Sequence, residues 1–273
     1  MSNAAHNDLP IGIFDSGVGG LTVLKAIREA LPSENIVYLG DTARLPYGTK
    51  SPASIERYAT QAAAKLQEQG IKLLVVACNT ASAVALEALR AALDPLPVVG
   101  VVEPGASAAV LARPGGRHLV LATEATVALS AYRRAIGALD AGAEVREQAC
   151  EMLVSLAEEG WSDGDIARAI VRRYLDAADG GAPDTIILGC THFPLLKDTI
   201  AEVAGDGVEL VDSASTTAGV VREVLDAGGA LRAGDSPGSL RLLATDGATR
   251  FARVGGQFLG HDLSYQDVEL VDL

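Results

Sequence analysis

Two of the three cysteines stand in the same local pattern. Cys78 closes the apolar run Leu73-Leu-Val-Val-Ala77 and is followed by Asn79 and Thr80. Cys190 closes Thr185-Ile-Ile-Leu-Gly189 and is followed by Thr191 and His192. A thiol at the end of a buried strand, with a helix starting behind it, sits near free backbone N–H groups that favour its thiolate form. A thiolate can take a proton from carbon, and a thiol opposite can return one. Two such groups could invert a carbon centre by acid–base chemistry, without a metal or an organic cofactor. Each has a candidate proton partner: His192 lies two residues after Cys190, and Asp15 serves Cys78 if their strand ends are neighbours.

A cysteine in a buried strand is often only a small hydrophobe. The polar pairs Asn79-Thr80 and Thr191-His192 argue against that here. Cys150 has no such neighbours and reads as structural, and His118 and His261 belong to no cluster and are expected on the surface or in loops. An odd cysteine count without a CxxC pair speaks against a disulfide framework and a four-ligand zinc site.

The elements that must position these groups alternate. Apolar runs Leu9–Phe14, Ile36–Leu39, Leu73–Val76, Val98–Val102, His118–Ala122, Ile186–Leu188, Val208–Val211 and Ser239–Ala244 read as strands, with a weaker one around Val145. Helical spacing separates them, with Ser51-Pro52 starting one helix and Asn79 or Thr80 expected to cap the one after Cys78. This alternation predicts an α/β protein with mainly parallel sheets flanked by helices. Ligands of such sheets gather beyond the carboxyl ends of the strands, and Asp15, Ser16, Cys78, Asn79, Cys190, Thr191 and His192 all fall there. A weak internal echo pairs Asp15-Ser16 and Cys78 with Asp212-Ser213 and Cys190. It predicts two related units facing each other across a cleft that holds both thiols.

A rival reading comes from Gly17-Val-Gly19-Gly20, which follows a strand, precedes a helix and approximates a dinucleotide fingerprint, with Asp41 ending the next strand. Its sixth position is Thr22, where Gly or Ala is wanted for helix–strand packing.

The chain has 273 residues and a formal net charge of −13, with 4 % aromatics. That charge repels nucleic acid and anionic membranes, no run of Lys or Arg forms a basic patch, and Arg133-Arg134 and Arg172-Arg173 read as solvated helix faces. No apolar run resembles a signal peptide or reaches membrane-spanning length, so a reducing cytoplasm is the expectation. Residues 1–8 are polar and expected to form a disordered tail.

Asp15-Ser-Gly-Val-Gly-Gly20, Pro46-Tyr-Gly48, Ala77-Cys-Asn-Thr-Ala-Ser82, Gly189-Cys-Thr-His-Phe-Pro-Leu195 and Val211-Asp-Ser213 resemble, in order, the signature blocks of the bacterial glutamate racemases, within the aspartate/glutamate racemase superfamily. The resemblance implies two pseudo-symmetric α/β domains, residues 9–97 plus 212–273 and residues 98–211, with the active site between them. It implies cofactor-independent interconversion of L- and D-glutamate for peptidoglycan synthesis, by a homodimer. A related racemase acting on aspartate or another acid is the alternative. By the family pattern Cys190 takes the α-proton of L-glutamate and Cys78 that of D-glutamate. Asp15 assists Cys78, His192 assists Cys190, and a glutamate completes the second site. Here that residue is Glu158, with Glu159 as the alternative, because Cys150-Glu151 replaces the Cys-Pro often found upstream. Asp15, Ser16, Tyr47, Gly48, Asn79, Thr80, Thr191 and His192 match the substrate-binding positions. Family partners are the small-molecule substrate, a peptidoglycan-precursor activator and, for some members, gyrase.

Overall fold

A computed structural model describes residues 6–273. The expected tail over residues 1–8 lies outside the described residues as far as residue 5. His6 to Asp8, in contrast, are anchored. The Asn7 side chain donates to the carbonyls of Gly229 and Leu231, and the Asn7 carbonyl accepts from Lys72 Nζ at 2.6 Å.

The chain alternates as its apolar pattern requires. The first half runs β1 (Ile11–Asp15), α1 (Leu21–Ala30), β2 (Ile36–Gly40), α2 (Pro52–Glu68), β3 (Leu73–Val76), α3 (Asn79–Leu93) and β4 (Val98–Gly100). The second runs α4 (Val102–Ala112), β5 (Arg117–Ala122), α5 (Glu124–Ala128), α6 (Ala131–Leu139), β6 (Glu144–Ala149), α7 (Glu151–Glu159), α8 (Gly164–Ala177), β7 (Thr185–Gly189), α9 (Lys197–Ala204) and β8 (Glu209–Asp212). The chain then returns to the first half through α10 (Ser213–Ala227), β9 (Leu240–Ala244), α11 (Ala248–Leu259) and β10 (Val268–Leu270).

The strands form two sheets, both parallel. One has the order β10-β9-β2-β1-β3-β4 and the other β6-β5-β7-β8. Within these, β2-β1-β3-β4 and β6-β5-β7-β8 are one topology used twice, so β1 corresponds to β5, β3 to β7 and β4 to β8. Cys78 follows β3 and Cys190 follows β7, so the two thiols sit at equivalent strand ends. The echo of the two Asp-Ser pairs, however, is not part of this correspondence. Asp15-Ser16 ends β1, whose counterpart β5 ends in Ala122-Thr123, whereas Asp212 ends β8. β4, expected at the start of the second unit, is hydrogen-bonded to β3 and joins the first sheet. The chain crosses between sheets only after Gly100.

Every residue of β1, β2, β3 and β7 is buried, as parallel strands covered on both faces must be. One apolar core is shared by both sheets, joining Ile13 and Val75 to Leu119 and Ile186 through Leu21, Leu24 and Ile27 of α1 and Val221 and Leu225 of α10. Burying each such side chain stabilises by about 1.5–3 kcal/mol. The outer faces carry separate cores, built on α2 and α3 for the first sheet and on α4 and α6 for the second. His118, expected at the surface, is fully buried near the start of β5 and bonds Thr185 Oγ1 at 2.7 Å, because a strand with neighbours on both sides buries even its first turn of residues. His261 is exposed, as expected.

Candidate active site

The register places the chemistry at one end of each sheet. Phe14 lies beside Val76, and the Ala77 N–H donates to the Phe14 carbonyl at 2.8 Å, so Asp15 and Cys78 emerge from adjacent strands. In the second sheet Ala122 lies beside Gly189, so Thr123 and Cys190 emerge together.

The two ends meet. Thr80, at the start of α3, shares hydrogen bonds with Thr123 Oγ1 at 2.9 Å and Thr126 Oγ1 at 3.2 Å. Tyr132 of α6 donates its hydroxyl to Asn79 Oδ1 at 2.7 Å. From the first sheet, the Thr22 hydroxyl bonds the Thr191 carbonyl at 3.0 Å.

Around Cys78, the helix cap expected from Asn79 or Thr80 is the cysteine itself, whose sulfur accepts from Ala81 N–H at 3.4 Å. A strand-end sulfur already faces the free N–H groups of the helix, leaving both polar side chains for other partners. The thiol is also 3.5 Å from Ser16 Oγ. Burial, then the charge of Asp15, pushes the Cys78 thiol up to about 12, against the Ser16 and Ala81 bonds, with a smaller push from Cys190. Asp15 is 1 % exposed and does not cap α1. Its Oδ2 accepts from Gly17 N–H at 2.8 Å, while its Oδ1 is buried with no protein partner. Burial raises its carboxyl above the usual range, opposed first by the charge of His192. Asn79 Nδ2 is likewise buried and unpartnered. An unpartnered acceptor and donor beside a thiol suit a ligand that carries both an ammonium and a carboxylate group.

Around Cys190, a short 3-10 turn over Phe193–Leu196 replaces the expected direct start of a helix, with Pro194 in its first turn. It holds His192 so that Nδ1 lies 3.7 Å from the Cys190 sulfur and Nε2 lies 3.2 Å from Glu158 Oε1. Phe258 packs edge-on against the imidazole with ring centres 5.1 Å apart. Burial alone would lower the affinity of His192 for its proton. Hydrogen bonds to Cys190 and Glu158, and their charges, outweigh it and lift the imidazole to about 10. Of the two candidate glutamates it is Glu158 that faces His192, while Glu159 is exposed.

Tyr47 and Gly48 stand in a short 3-10 turn, both buried. The Tyr47 hydroxyl is spent on Asp41 Oδ2 at 2.5 Å, and a Cβ on Gly48 would lie 3.0 Å from Thr123. The glycine run of the rival fingerprint is filled by side chains of this site. A Cβ on Gly19 would come within 2.3 Å of Thr191 Oγ1, and one on Gly20 within 2.5 Å of Asp15. The glycines let the loop after β1 close against the Cys190 turn, and Thr22 at the sixth position supplies the bond to Thr191.

Residues that the sequence reading passed over are Thr123, Thr126, Tyr132, Thr22 and Arg250. Thr123 follows a strand end and the same positional rule would have found it. The others reach the site only through tertiary packing. Cys150 is fully buried, and its thiol donates to the Gln148 carbonyl at 3.4 Å, as a structural cysteine should.

Two buried thiols thus stand at matching strand ends of two parallel sheets, Cys78 on the strand next to Asp15 and Cys190 beside His192. The sequence matches the Asp/Glu/Hydantoin racemase family over residues 11–221. It is 51 % identical over 263 residues to the glutamate racemase of Geobacter metallireducens, covering 96 % of each chain. Among solved structures it is similar to the Francisella tularensis glutamate racemase in complex with D-glutamate, with a TM-score of 0.89, 35 % identity and 97 % and 98 % of the two chains covered. It is also similar to Escherichia coli glutamate racemase in complex with L-glutamate and the activator UDP-MurNAc-ala, with a TM-score of 0.74, 34 % identity and 92 % and 95 % covered. The chain belongs to the Asp/Glu/Hydantoin racemase family of isomerases.

Proposed function

We propose that this protein is a glutamate racemase that interconverts L- and D-glutamate with two thiols and no cofactor. The observation that carries the reading is the pair of buried cysteines at equivalent strand ends, Cys78 on the strand next to Asp15 and Cys190 with its sulfur 3.7 Å from His192 Nδ1. The relative at 51 % identity and the D-glutamate bound to the Francisella protein give the substrate.

For L-glutamate, Cys190 takes the α-proton and Cys78 returns one to the opposite face; for D-glutamate the roles exchange. The two sides are differently prepared. Cys78 is held protonated by burial and by Asp15, as a proton donor should be. His192, held as imidazolium by its hydrogen bonds to Cys190 and Glu158, sets a cation 3.7 Å from the Cys190 sulfur. Asp15, Ser16, Tyr47, Gly48, Asn79, Thr80, Thr191 and His192 surround the substrate. Asn79 Nδ2 donates to a carboxylate and Asp15 Oδ1 accepts from the ammonium group. An amino acid α-proton is weakly acidic, so the carbanion needs donors fixed in a site shielded from water. Both thiols are only 6 % exposed. Residues 9–97 plus 212–273 and residues 98–211 therefore act as units that part to admit glutamate, with the boundary strand β4 moving with the first.

Circular dichroism of L-glutamate and D-glutamate, incubated separately with the protein, tests this. Decay of both signals to the same racemic end supports it. Decay only with aspartate in place of glutamate would move the assignment to another member of the family.

We further infer that the D-glutamate produced serves peptidoglycan synthesis and that a cell-wall precursor activates the enzyme, as suggested by the activator bound to the Escherichia coli relative. Turnover with and without UDP-MurNAc-ala tests the second point. A homodimer is expected and light scattering checks it. The acidic surface also admits a gyrase contact, which a binding assay with purified gyrase tests. Among the described residues no helix is long and apolar enough to cross a membrane, in keeping with a cytoplasmic role, which fractionation would check.

A further inference from the structure

Glu158 has a second partner. Its Oε1 faces His192 Nε2 at 3.2 Å, and its Oε2 accepts from Arg250 Nη2 at 2.6 Å. The series Arg250, Glu158, His192, Cys190 therefore runs from the surface to a buried thiol. Its ends belong to different halves of the molecule. Arg250 lies on α11, which packs against α1 and β10, whereas Glu158 lies on α7, which packs against α8 and the turn that carries His192. A carboxylate gripped on both oxygens cannot rotate without losing one bond. Released from Arg250, Glu158 is free to turn on its three side-chain torsions toward water.

We propose that Arg250 is a positioning residue: it holds the Glu158 carboxylate turned toward His192, and so sets the charge state of the imidazole beside Cys190. The pair does little for folding, because Arg250 is 57 % exposed and exposed ion pairs add little stability. Its geometry matters through His192. The charged groups facing that imidazole are Cys190 on its own turn, Glu158 from α7 and Asp15 from the end of β1, with Arg250 behind Glu158. Two effects of Arg250 on His192 have opposite signs. Its positive charge, acting alone, disfavours the imidazolium. Acting through Glu158, it favours the imidazolium by keeping an anion in hydrogen-bond contact.

The kinetic arm of the test rests on the two-thiol reading, and the spectroscopic arm does not. Nitrogen-15 NMR of histidine-labelled protein would follow the imidazoles through a pH titration, with His192→Gln assigning the His192 signal. In Arg250→Met the midpoint of His192 should fall by about one pH unit as Glu158 loses its hold, and Arg250→Lys should restore part of it. The melting temperature should stay unchanged. In the same variant kcat should fall about threefold near pH 9.5, between the two midpoints, and little at pH 7, with KM little altered. The isotope effect with α-deuterated L-glutamate, whose proton goes to Cys190, should rise more than that with α-deuterated D-glutamate. A His192 midpoint that stays or rises in Arg250→Met, or turnover equal to the unsubstituted enzyme near pH 9.5, overturns the proposal. If the unsubstituted protein does not racemise glutamate, the functional reading fails, while the His192 midpoint still decides the role of Arg250.

Discussion

The Thr22 hydroxyl bonds the Thr191 carbonyl at 3.0 Å across 169 residues of sequence. Thr22 begins α1 beside the first sheet, and Thr191 follows Cys190 at the end of the second. The same hydroxyl lies 3.0 Å from the Gly19 carbonyl, so it ties the glycine loop and the cysteine turn together. Thr22→Val keeps the shape but leaves a buried carbonyl unpaired, which costs about 1–3 kcal/mol. Urea denaturation should show that loss, and Thr22→Ser should restore most of it. Unchanged stability in the Val variant would show that water replaces the bond.

Gly19 makes that approach possible. A Cβ there would lie 2.3 Å from Thr191 Oγ1 and 2.5 Å from His192 Nδ1, the nitrogen that faces Cys190. Gly19→Ala must push the imidazole away from the sulfur. Misplacement of this order costs about 100-fold in rate, and steady-state racemisation assays should show it. Gly137→Ala on α6, where a Cβ meets nothing within 4 Å, should leave turnover unchanged and stabilise slightly, by about 0.4–1 kcal/mol.

Cys78→Ser and Cys190→Ser test the thiols themselves. A hydroxyl fills nearly the same space but is a much weaker acid. Each variant should lose at least about 100-fold in racemisation, with its far-ultraviolet circular dichroism unchanged. Cys150→Ser should keep turnover, because its thiol spends its hydrogen bond on the Gln148 carbonyl and makes none to the other two cysteines or to His192. Full activity in either of the first two variants would end the two-thiol mechanism.

Much of this site was legible before any coordinates. The runs before Cys78 and Cys190 are short, aliphatic and β-branched, so their strands and the thiols at their ends follow from local pattern alone. Ser51-Pro52 marked the start of α2 for the same reason, and the Ser51 hydroxyl does accept from Ser54 N–H. What failed was non-local. The order of strands in a sheet leaves no local trace, so the two Asp-Ser pairs looked equivalent although β1 matches β5 and not β8. His118 looked like a surface residue because its burial depends on β6 and β7, which flank it from distant parts of the chain. Arg250, Tyr132 and Thr126 carry no signal of their own and meet the site only through the packing of α11, α6 and α5. The cap at Cys78 was missed for a chemical reason: oxygen side chains are the usual caps, and a sulfur takes that role here because the strand ends on it.

The His192–Glu158 pair also sets a pH dependence of stability. The imidazole has an ordinary value of 6.5 when unfolded and about 10 in the fold, so the native state binds its proton more tightly. Its contribution is fully present below about pH 6.5 and is lost as pH rises toward 10. Glu158 has the opposite sense. His192 first, and Arg250 after it, hold its carboxyl below the ordinary 4.5, so its contribution is present above that value and lost as pH falls below it. The pair therefore stabilises most in the mildly acidic window between the two. His192→Gln removes this dependence. The difference in unfolding free energy between the unsubstituted protein and His192→Gln, measured in urea at about pH 5.5, 7.5 and 9.5, should be largest at the lowest pH and shrink steadily upward. A difference that grows with pH would mean that the imidazole is buried neutral and that no cation stands beside Cys190.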